Sequence, residues 1–436
     1  MHLPTPARRR LLLAFGLLGC LAGCLCTGQA ALAQGAAASG PAAAPQGVAV
    51  AIGGALRDDN ELIWGQLIQL SGGPGAKWVV LGTASDSPQQ SADNAAKQLR
   101  RRGAVADTLP VSPLLKDRPV ADAVRDPALI DKVRAARGVF FTGGAQERIV
   151  SSLQPGGQPS PLLQAIWDVY RAGGVVAGTS AGAAIMSGTM FIDAPDVVGA
   201  MKGRLREGQE YGRGLGFMGA ALFVDQHFLK RGRIGRMLPL MQRTGLRLGL
   251  GVEEDSAAAL RGEVVTLLGG QAVFADLTEA RSDAALGVFN LRGARLSLLD
   301  AGDQLNLATR TFTPATRKAR GTVYDPAAPN YKPYNTTAGF DVDWLANGVL
   351  ATRMGQLIDG SFSELRGLAF DPRGKADDPL AALGFEWRLY KAPGSIGWSS
   401  PEGGDEDYSV HRLGLDVLPV RMAQPLYGPW PAAPAR

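Results

Sequence analysis

The sequence predicts an α/β fold built on a parallel sheet, followed by a smaller β-rich region. Three observations carry this. Apolar strand-like runs alternate with helix-like segments between residues 47 and 245, the pattern of strand–helix–strand units that cover both faces of a parallel sheet. Two of those runs end in small-residue turns, FTGG at 141–144 and AGTS at 177–180, and parallel sheets form their sites at strand carboxyl ends. Past about residue 290 the long helical segments give way to short alternating runs such as FEWRLYKA and VHRLGLDVL.

The elements follow in order. GVAVAIGGAL reads as a buried strand ending in glycines, and ELIWGQLIQL has helical spacing. KWVVLGTAS and VRAARGVFFTGG supply further strands, with the helix SADNAAKQLRRRG between them. PLLQAIWDVYRAGG is helical and leads into the strand GGVVAGTS. ALFVDQHF is a strand. In the helix after it, Ile234, Met237, Leu238 and Met241 keep i, i+3, i+4, i+7 spacing. LGLGVEEDSAAAL and EVVTLLGGQAVFADL read as a strand pair with turns, and RLSLLDAGDQLNLATRTF as a hairpin. Residues 313–339 are rich in Pro, Thr, Asn and Tyr and read as a long loop.

The first 45 residues stand apart. Arg8, Arg9 and Arg10 precede an apolar run of 16 residues and the small-residue stretch TGQAALA, the arrangement of an export signal. The run is shorter than the ~20 residues of a spanning helix. Cleavage before Gln34 would follow Ala31-Leu32-Ala33. Cleavage before Cys24, after Leu21-Ala22-Gly23, would leave a lipid anchor at that cysteine. The expected organisation is a signal peptide over 1–33, a linker over 34–45, a catalytic domain over 46–290 and a β-rich extension over 291–436. The protein is expected to be periplasmic, extracellular or an outer-membrane lipoprotein.

All three cysteines, Cys20, Cys24 and Cys26, lie in the leader. The remaining chain therefore has no disulfide framework, no cysteine zinc site and no cysteine nucleophile. Removing the leader takes 45 basic groups to 42 against 40 acidic ones, so the net charge of +5 falls to +2. That balance gives no reason to expect nucleic acid.

The chemistry centres on VVAGTSAGAAIM. Ser180 is flanked by Gly178, Thr179, Ala181 and Gly182, as a sharp strand-to-helix turn with a serine at its apex requires. The bland alternative is a packing joint with the serine as helix cap. A nucleophilic serine needs a base, and the chain offers His2, His227 and His411. His227 closes the strand VDQHF inside the α/β part. The orienting acid can come from Glu253, Glu254 or Asp255, which directly follow an apolar strand. Arg231, Arg233 and Arg236 lie off the apolar stripe of the next helix. They form either a solvated face or a group that captures anions bidentately.

Together FTGGAQ, AGTSAGA, DQHFLKRGRIGR and GVEEDSA resemble, in order and spacing, the motifs of the cyanophycinases. These serine hydrolases belong to the peptidase family that also contains the aspartyl dipeptidase peptidase E. The resemblance runs from about Gly47 to about Leu277. It implies a fold similar to class I glutamine amidotransferases, a flavodoxin-like sandwich. It implies Ser180 as nucleophile, His227 as base and Glu254 as orienting acid, with Gly144 and Ala181 forming the oxyanion hole. Gln146, Asp225, Gln226, Arg231, Arg233 and Arg236 match the substrate pocket. The implied substrate is cyanophycin, an aspartate backbone carrying arginine on each β-carboxyl, and the products are β-aspartyl-arginine dipeptides. On this reading the substrate's carboxylates meet the arginine cluster, and Asp225 helps to hold its guanidinium. No metal or cofactor is implied. Two other readings stand beside it: a peptidase-E-like dipeptidase for α-aspartyl substrates, and an exported binding lipoprotein without catalysis. The extension binds polymer, forms a homodimer or shields the site; the sequence leaves these open.

Overall fold

The alternation of strands and helices is present, but among the described residues the strands divide between two large sheets and one two-stranded sheet. The computed structural model describes residues 47–373, 378–403, 407–423 and 426. The expected leader with its three cysteines and His2, and the linker, lie outside the described residues. β1 (Val48–Ile52), β2 (Lys77–Leu81), β3 (Val105–Leu109), β4 (Gly138–Phe141) and β5 (Val175–Thr179) form a parallel array in the order β3-β2-β4-β5-β1. α1 (Glu61–Leu70) and α2 (Pro88–Arg101) cover one face. The short α3 (Val120–Ala123) with α4 (Pro127–Arg134), α5 (Gln146–Leu153) and α6 (Pro161–Arg171) cover the other.

Side-chain alternation along each strand explains the double cover. Val48, Val50 and Ile52 pack toward α1 and α2, while Ala49 and Ala51 face the opposite layer. Fully burying each branched side chain contributes about 1.5–3 kcal/mol. α2 begins at Pro88, whose missing N–H costs nothing in a first turn. It buries Ala92, Ala95, Ala96 and Leu99, one stripe at helical spacing. α6 is capped by the Ser160 hydroxyl, which accepts from the Leu163 N–H at 3.2 Å.

After β5 come α7 (Ala181–Ala184) and the antiparallel pair β6 (Thr189–Phe191) and β7 (Tyr211–Arg213), with α8 (Val197–Met201) between those two strands. β8 (Leu222–Gln226), α9 (Ile234–Thr244) and β9 (Leu248–Val252) then form a parallel unit in a second sheet. β10 (Ala257–Arg261) returns to the first sheet, antiparallel to β1, and β11 (Val264–Gly269) extends it. β12 (Gln271–Asp276) goes back to the second sheet beside β9.

β13 (Leu291–Asp300) begins at the expected boundary near residue 290 and pairs with β12 across six residue pairs. The expected hairpin over RLSLLDAGDQLNLATRTF is corrected. β13 stays in the second sheet, while β14 (Gln304–Asn306) joins β11 in the first and turns back into β15 (Phe312–Thr313). Buried Asp303 fixes that divergence. Its carboxylate accepts from the Asp300 N–H at 2.7 Å, the Ala315 N–H at 2.8 Å and the Ser409 hydroxyl at 2.5 Å.

The expected loop over 313–339 begins with the last residue of β15 and otherwise contains α10 (Thr316–Ala319) and β16 (Thr322–Tyr324). β17 (Phe340–Asp341), α11 (Val349–Ile358), β18 (Glu364–Ala369), β19 (Leu383–Tyr390), β20 (Ile396–Ser399) and β21 (Tyr408–Arg421) complete the chain. β21 pairs with β13, β19 and β20, so the extension enlarges the second sheet. Among the described residues no helix is long and apolar enough to cross a membrane.

Candidate active site

Ser180 stands where β5 turns into α7, with φ 53° and ψ −109°. A left-handed φ on a residue with a side chain costs about 1–3 kcal/mol and persists only where the surroundings enforce it. Here the Ser180 N–H donates to the Ile52 carbonyl at 2.9 Å. A Cβ on Gly178 would overlap Gly182, and a Cβ on Gly182 would overlap the Phe141 carbonyl. The small residues around the serine are therefore demanded by close backbone approach.

The Ser180 hydroxyl lies 2.9 Å from Nε2 of His227, and Nδ1 of His227 lies 2.6 Å from Oε1 of Glu254. His227 follows β8 with φ 47°, and its N–H donates to the Gly53 carbonyl at 2.7 Å. The Asp255 N–H donates to the Gly54 carbonyl at 2.8 Å. Three consecutive carbonyls at the end of β1, those of Ile52, Gly53 and Gly54, thus tie down the loops bearing serine, histidine and acid. Ala55, Ser180, His227 and Asp255 are four of the six non-glycine positive-φ residues among those described, so backbone strain is concentrated at this junction. Gly54 itself has φ 110°, and a Cβ there would overlap the His227 ring. Sequence reading missed this role. The signal was the Gly53-Gly54 pair ending the first strand.

The three adjacent acids do different work. Glu254 meets the imidazole. Glu253 accepts from the Leu229 N–H and, at 2.9 Å, from the Lys230 N–H, fixing the loop after His227. Asp255 accepts from Arg57 Nε at 2.7 Å and Asn60 Nδ2 at 2.9 Å. Burial opposes its charge, but the hydrogen bonds from Arg57 and Asn60 hold this carboxyl below the usual range.

Burial also pushes the His227 imidazole below the ordinary histidine range. The Glu254 bond works against that shift, and the Arg231 and Arg233 charges add to it. The neutral ring, able to accept a proton, is thereby favoured near neutral pH. Ala181 is the first residue of α7, so its N–H has no partner within that helix. Gly144 adopts φ 139°, and a Cβ there would overlap the Ala84 carbonyl. His411 lies far along the chain in β21, 3.1 Å from the Ser297 hydroxyl, and burial lowers it to about 4.

The arginine cluster is not a solvated face. Arg236 is buried and forks onto Asp225, with Nε 2.8 Å from Oδ2 and Nη2 2.6 Å from Oδ1. Its Nη1 donates to the Ala194 carbonyl at 2.8 Å, and the guanidinium lies 4.2 Å from the Phe191 ring centroid. Arg233 is also buried; it donates to the Gln226 carbonyl at 2.7 Å, and burial holds it down to about 10. The anion that the cluster needs is thus internal. Asp225 is buried and already engaged by Arg236, Arg233 and the Gln226 N–H, which leaves it closed to a substrate guanidinium. Arg231 is the exposed member. Gln226 keeps a buried side-chain oxygen without a partner. Gln146 donates to the Phe191 and Ile192 carbonyls at 2.8 and 2.9 Å, pinning the end of β6. Among the described residues no group of three or more His, Cys, Asp or Glu is arranged to hold a metal ion.

The chain is similar to cyanophycinases from three cyanobacterial sources. The one from Trichormus variabilis is 33% identical over 199 residues, 43% of this chain and 62% of that protein. One from a Nostoc species gives the same figures. One from Geminocystis herdmanii is 32% identical over 189 residues, 41% of this chain and 65% of that protein. The chain thus spans under two thirds of the length of these curated relatives. A crystal structure of a peptidase from an acI-B1 Actinobacterium is 19% identical with a TM-score of 0.43, covering 60% of this chain and 96% of that one. Residues 49–268, half of the chain, match Peptidase family S51, and the protein belongs to that family.

Proposed function

We propose that this protein is a serine peptidase that cleaves cyanophycin to β-aspartyl-arginine dipeptides. The observation that carries the reading is the continuous hydrogen-bonded chain from the Ser180 hydroxyl through His227 to Glu254. Membership of Peptidase family S51 and the similarity to cyanophycinases support the substrate.

The geometry suggests the following steps. Nε2 of His227 takes the Ser180 proton as Oγ attacks the scissile carbonyl. Glu254 holds the Nδ1–H and stabilises the imidazolium that forms. In this reading the N–H groups of Ala181 and Gly144 serve as donors to the tetrahedral oxyanion. His227 then passes its proton to the departing amine, leaving an acyl-enzyme on Ser180. Water, activated by the same imidazole, releases the acid product and restores the serine.

Incubating the purified protein with insoluble cyanophycin and weighing the soluble products by mass spectrometry tests the reading. β-Aspartyl-arginine dipeptides are expected; free arginine or α-aspartyl fragments would contradict it. The proposal includes export, supported by Arg8–Arg10 before the apolar run. N-terminal analysis of the mature protein distinguishes a start at Gln34 from one at Cys24.

A further inference from the structure

The turn after His227 is held from two sides. On the inner side the Phe228 N–H donates to the Val252 carbonyl at 3.3 Å, and Glu253 accepts from the Leu229 and Lys230 N–H groups. On the outer side stands a segment of the extension, residues 344–348. The Gly348 N–H donates to the Leu229 carbonyl at 3.3 Å. Gly232 has φ 56°, and a Cβ there would overlap the Leu345 carbonyl. A Cβ on Gly235, in the first turn of α9, would meet the Leu345 methyl groups at 3.0 and 3.1 Å. The outer segment is itself anchored. Trp344 is fully buried, its N–H donates to the Leu368 carbonyl of β18 at 2.8 Å, and its ring stacks on Trp387 of β19 with centroids 6.4 Å apart. The Asp343 carboxylate accepts from the Leu345 N–H at 3.2 Å. The turn carries this contact to the base. Gly232 lies between Arg231, whose N–H donates to the His227 carbonyl at 3.2 Å, and Arg233, whose N–H donates to the Phe228 carbonyl at 2.9 Å. His227 keeps a left-handed φ of 47°, a conformation that persists only where the surroundings enforce it.

We infer that Leu345 is a positioning residue: the 344–348 segment of the extension braces the His227 turn and so keeps Nε2 within reach of the Ser180 hydroxyl. It acts through Gly232, Gly235 and the Leu229 carbonyl, not on the reacting atoms. The inference rests on the proposed hydrolase reading, in which His227 is the base. It gives the extension a part in turnover that is distinct from binding polymer, forming a dimer or shielding the site.

The test is the rate at which a fluorophosphonate labels Ser180 in the full chain, followed over a range of reagent concentrations. A displacement of about 1 Å at a reacting group can cost about 100-fold in rate, so the partial loosening in Leu345→Ala should lower the maximal labelling rate about 10-fold. The half-saturating concentration should stay unchanged, because the reagent's own contacts are untouched. Leu345→Met, similar in volume, should restore the rate. Gly232→Ala, whose methyl would drive the turn and Leu345 apart, should slow labelling at least as much as Leu345→Ala. Leu389→Val, a buried change in β19 away from the turn, should lower the melting temperature and leave the labelling rate as in wild type. A wild-type rate in Leu345→Ala, no recovery in Leu345→Met, or an equal slowing by Leu389→Val would overturn the inference. Labelling of the wild type that is indifferent to His227→Ala would overturn the hydrolase reading and the positioning role with it. Labelling that depends on His227 but not on Leu345 would overturn the positioning role alone.

Discussion

At the residue scale, three side chains, Ser180, His227 and Glu254, are held in register by the loop after β1. Ser180→Ala and His227→Ala should each lower turnover by roughly 10³-fold or more, and the double variant should be little worse, because the two act as a unit. Additive losses in steady-state kinetics would contradict the pairing. Glu254→Gln should keep the fold and lose about 10³–10⁴-fold in kcat, since an amide cannot support the imidazolium. Glu253→Gln retains an acceptor for the loop N–H groups and should lose far less. The pH profile has a definite sign. In the proposed mechanism His227 acts as the neutral base, and burial holds it below its ordinary range, so kcat/KM should persist below pH ~6.5 and fall only as pH drops through the depressed value. Arg231→Ala removes a charge that disfavours the imidazolium, so the acid limb should move to higher pH; an unmoved or lowered limb would count against this. Ser180 and His227 stood out in the sequence because each sits in a short motif at a strand end, whereas the run of Glu253, Glu254 and Asp255 left the acid open and only the family resemblance singled out Glu254. Gly54 did not stand out, because its constraint is contact with a ring 173 positions away.

At the scale of elements, the lesson is in α9 and the strand before it. Periodicity placed the helix and its apolar stripe, but Arg233 and Arg236 off that stripe read as solvated or substrate-facing. The structure buries both and neutralises them on Asp225 from β8. A period of 3.6 reports which residues face one core, and it is silent when a helix is enclosed on more than one side. Asp225→Ala should therefore leave two buried guanidinia without their anion and cost about 3–5 kcal/mol, read as a large fall in melting temperature. Arg236→Lys should also lower stability, because it loses the fork and the bond to Ala194. If that variant kept wild-type stability and lost only cleavage, Arg236 would belong to substrate capture after all.

At the scale of the whole molecule, the parallel array was readable from alternation, whereas the traffic of β8 to β14 between two sheets was not. Strand runs such as ALFVDQHF and RLSLLDAG are apolar enough for either sheet, and only long-range pairing decides. The same pairing makes the extension part of the fold: removing residues from 291 onward would strip β13 from β12 and β14 from β11. Such a truncation should yield insoluble or unfolded protein by circular dichroism; a stable, cooperative fragment would show that the first half folds alone. On the proposed function this architecture presents one activated serine, Ser180, to the substrate. Mass mapping of the adduct formed with a fluorophosphonate tests it most directly. A single adduct on Ser180 is expected, absent in Ser180→Ala and formed much more slowly in His227→Ala. An adduct on another residue, or labelling of Ser180 that is indifferent to His227, would contradict it.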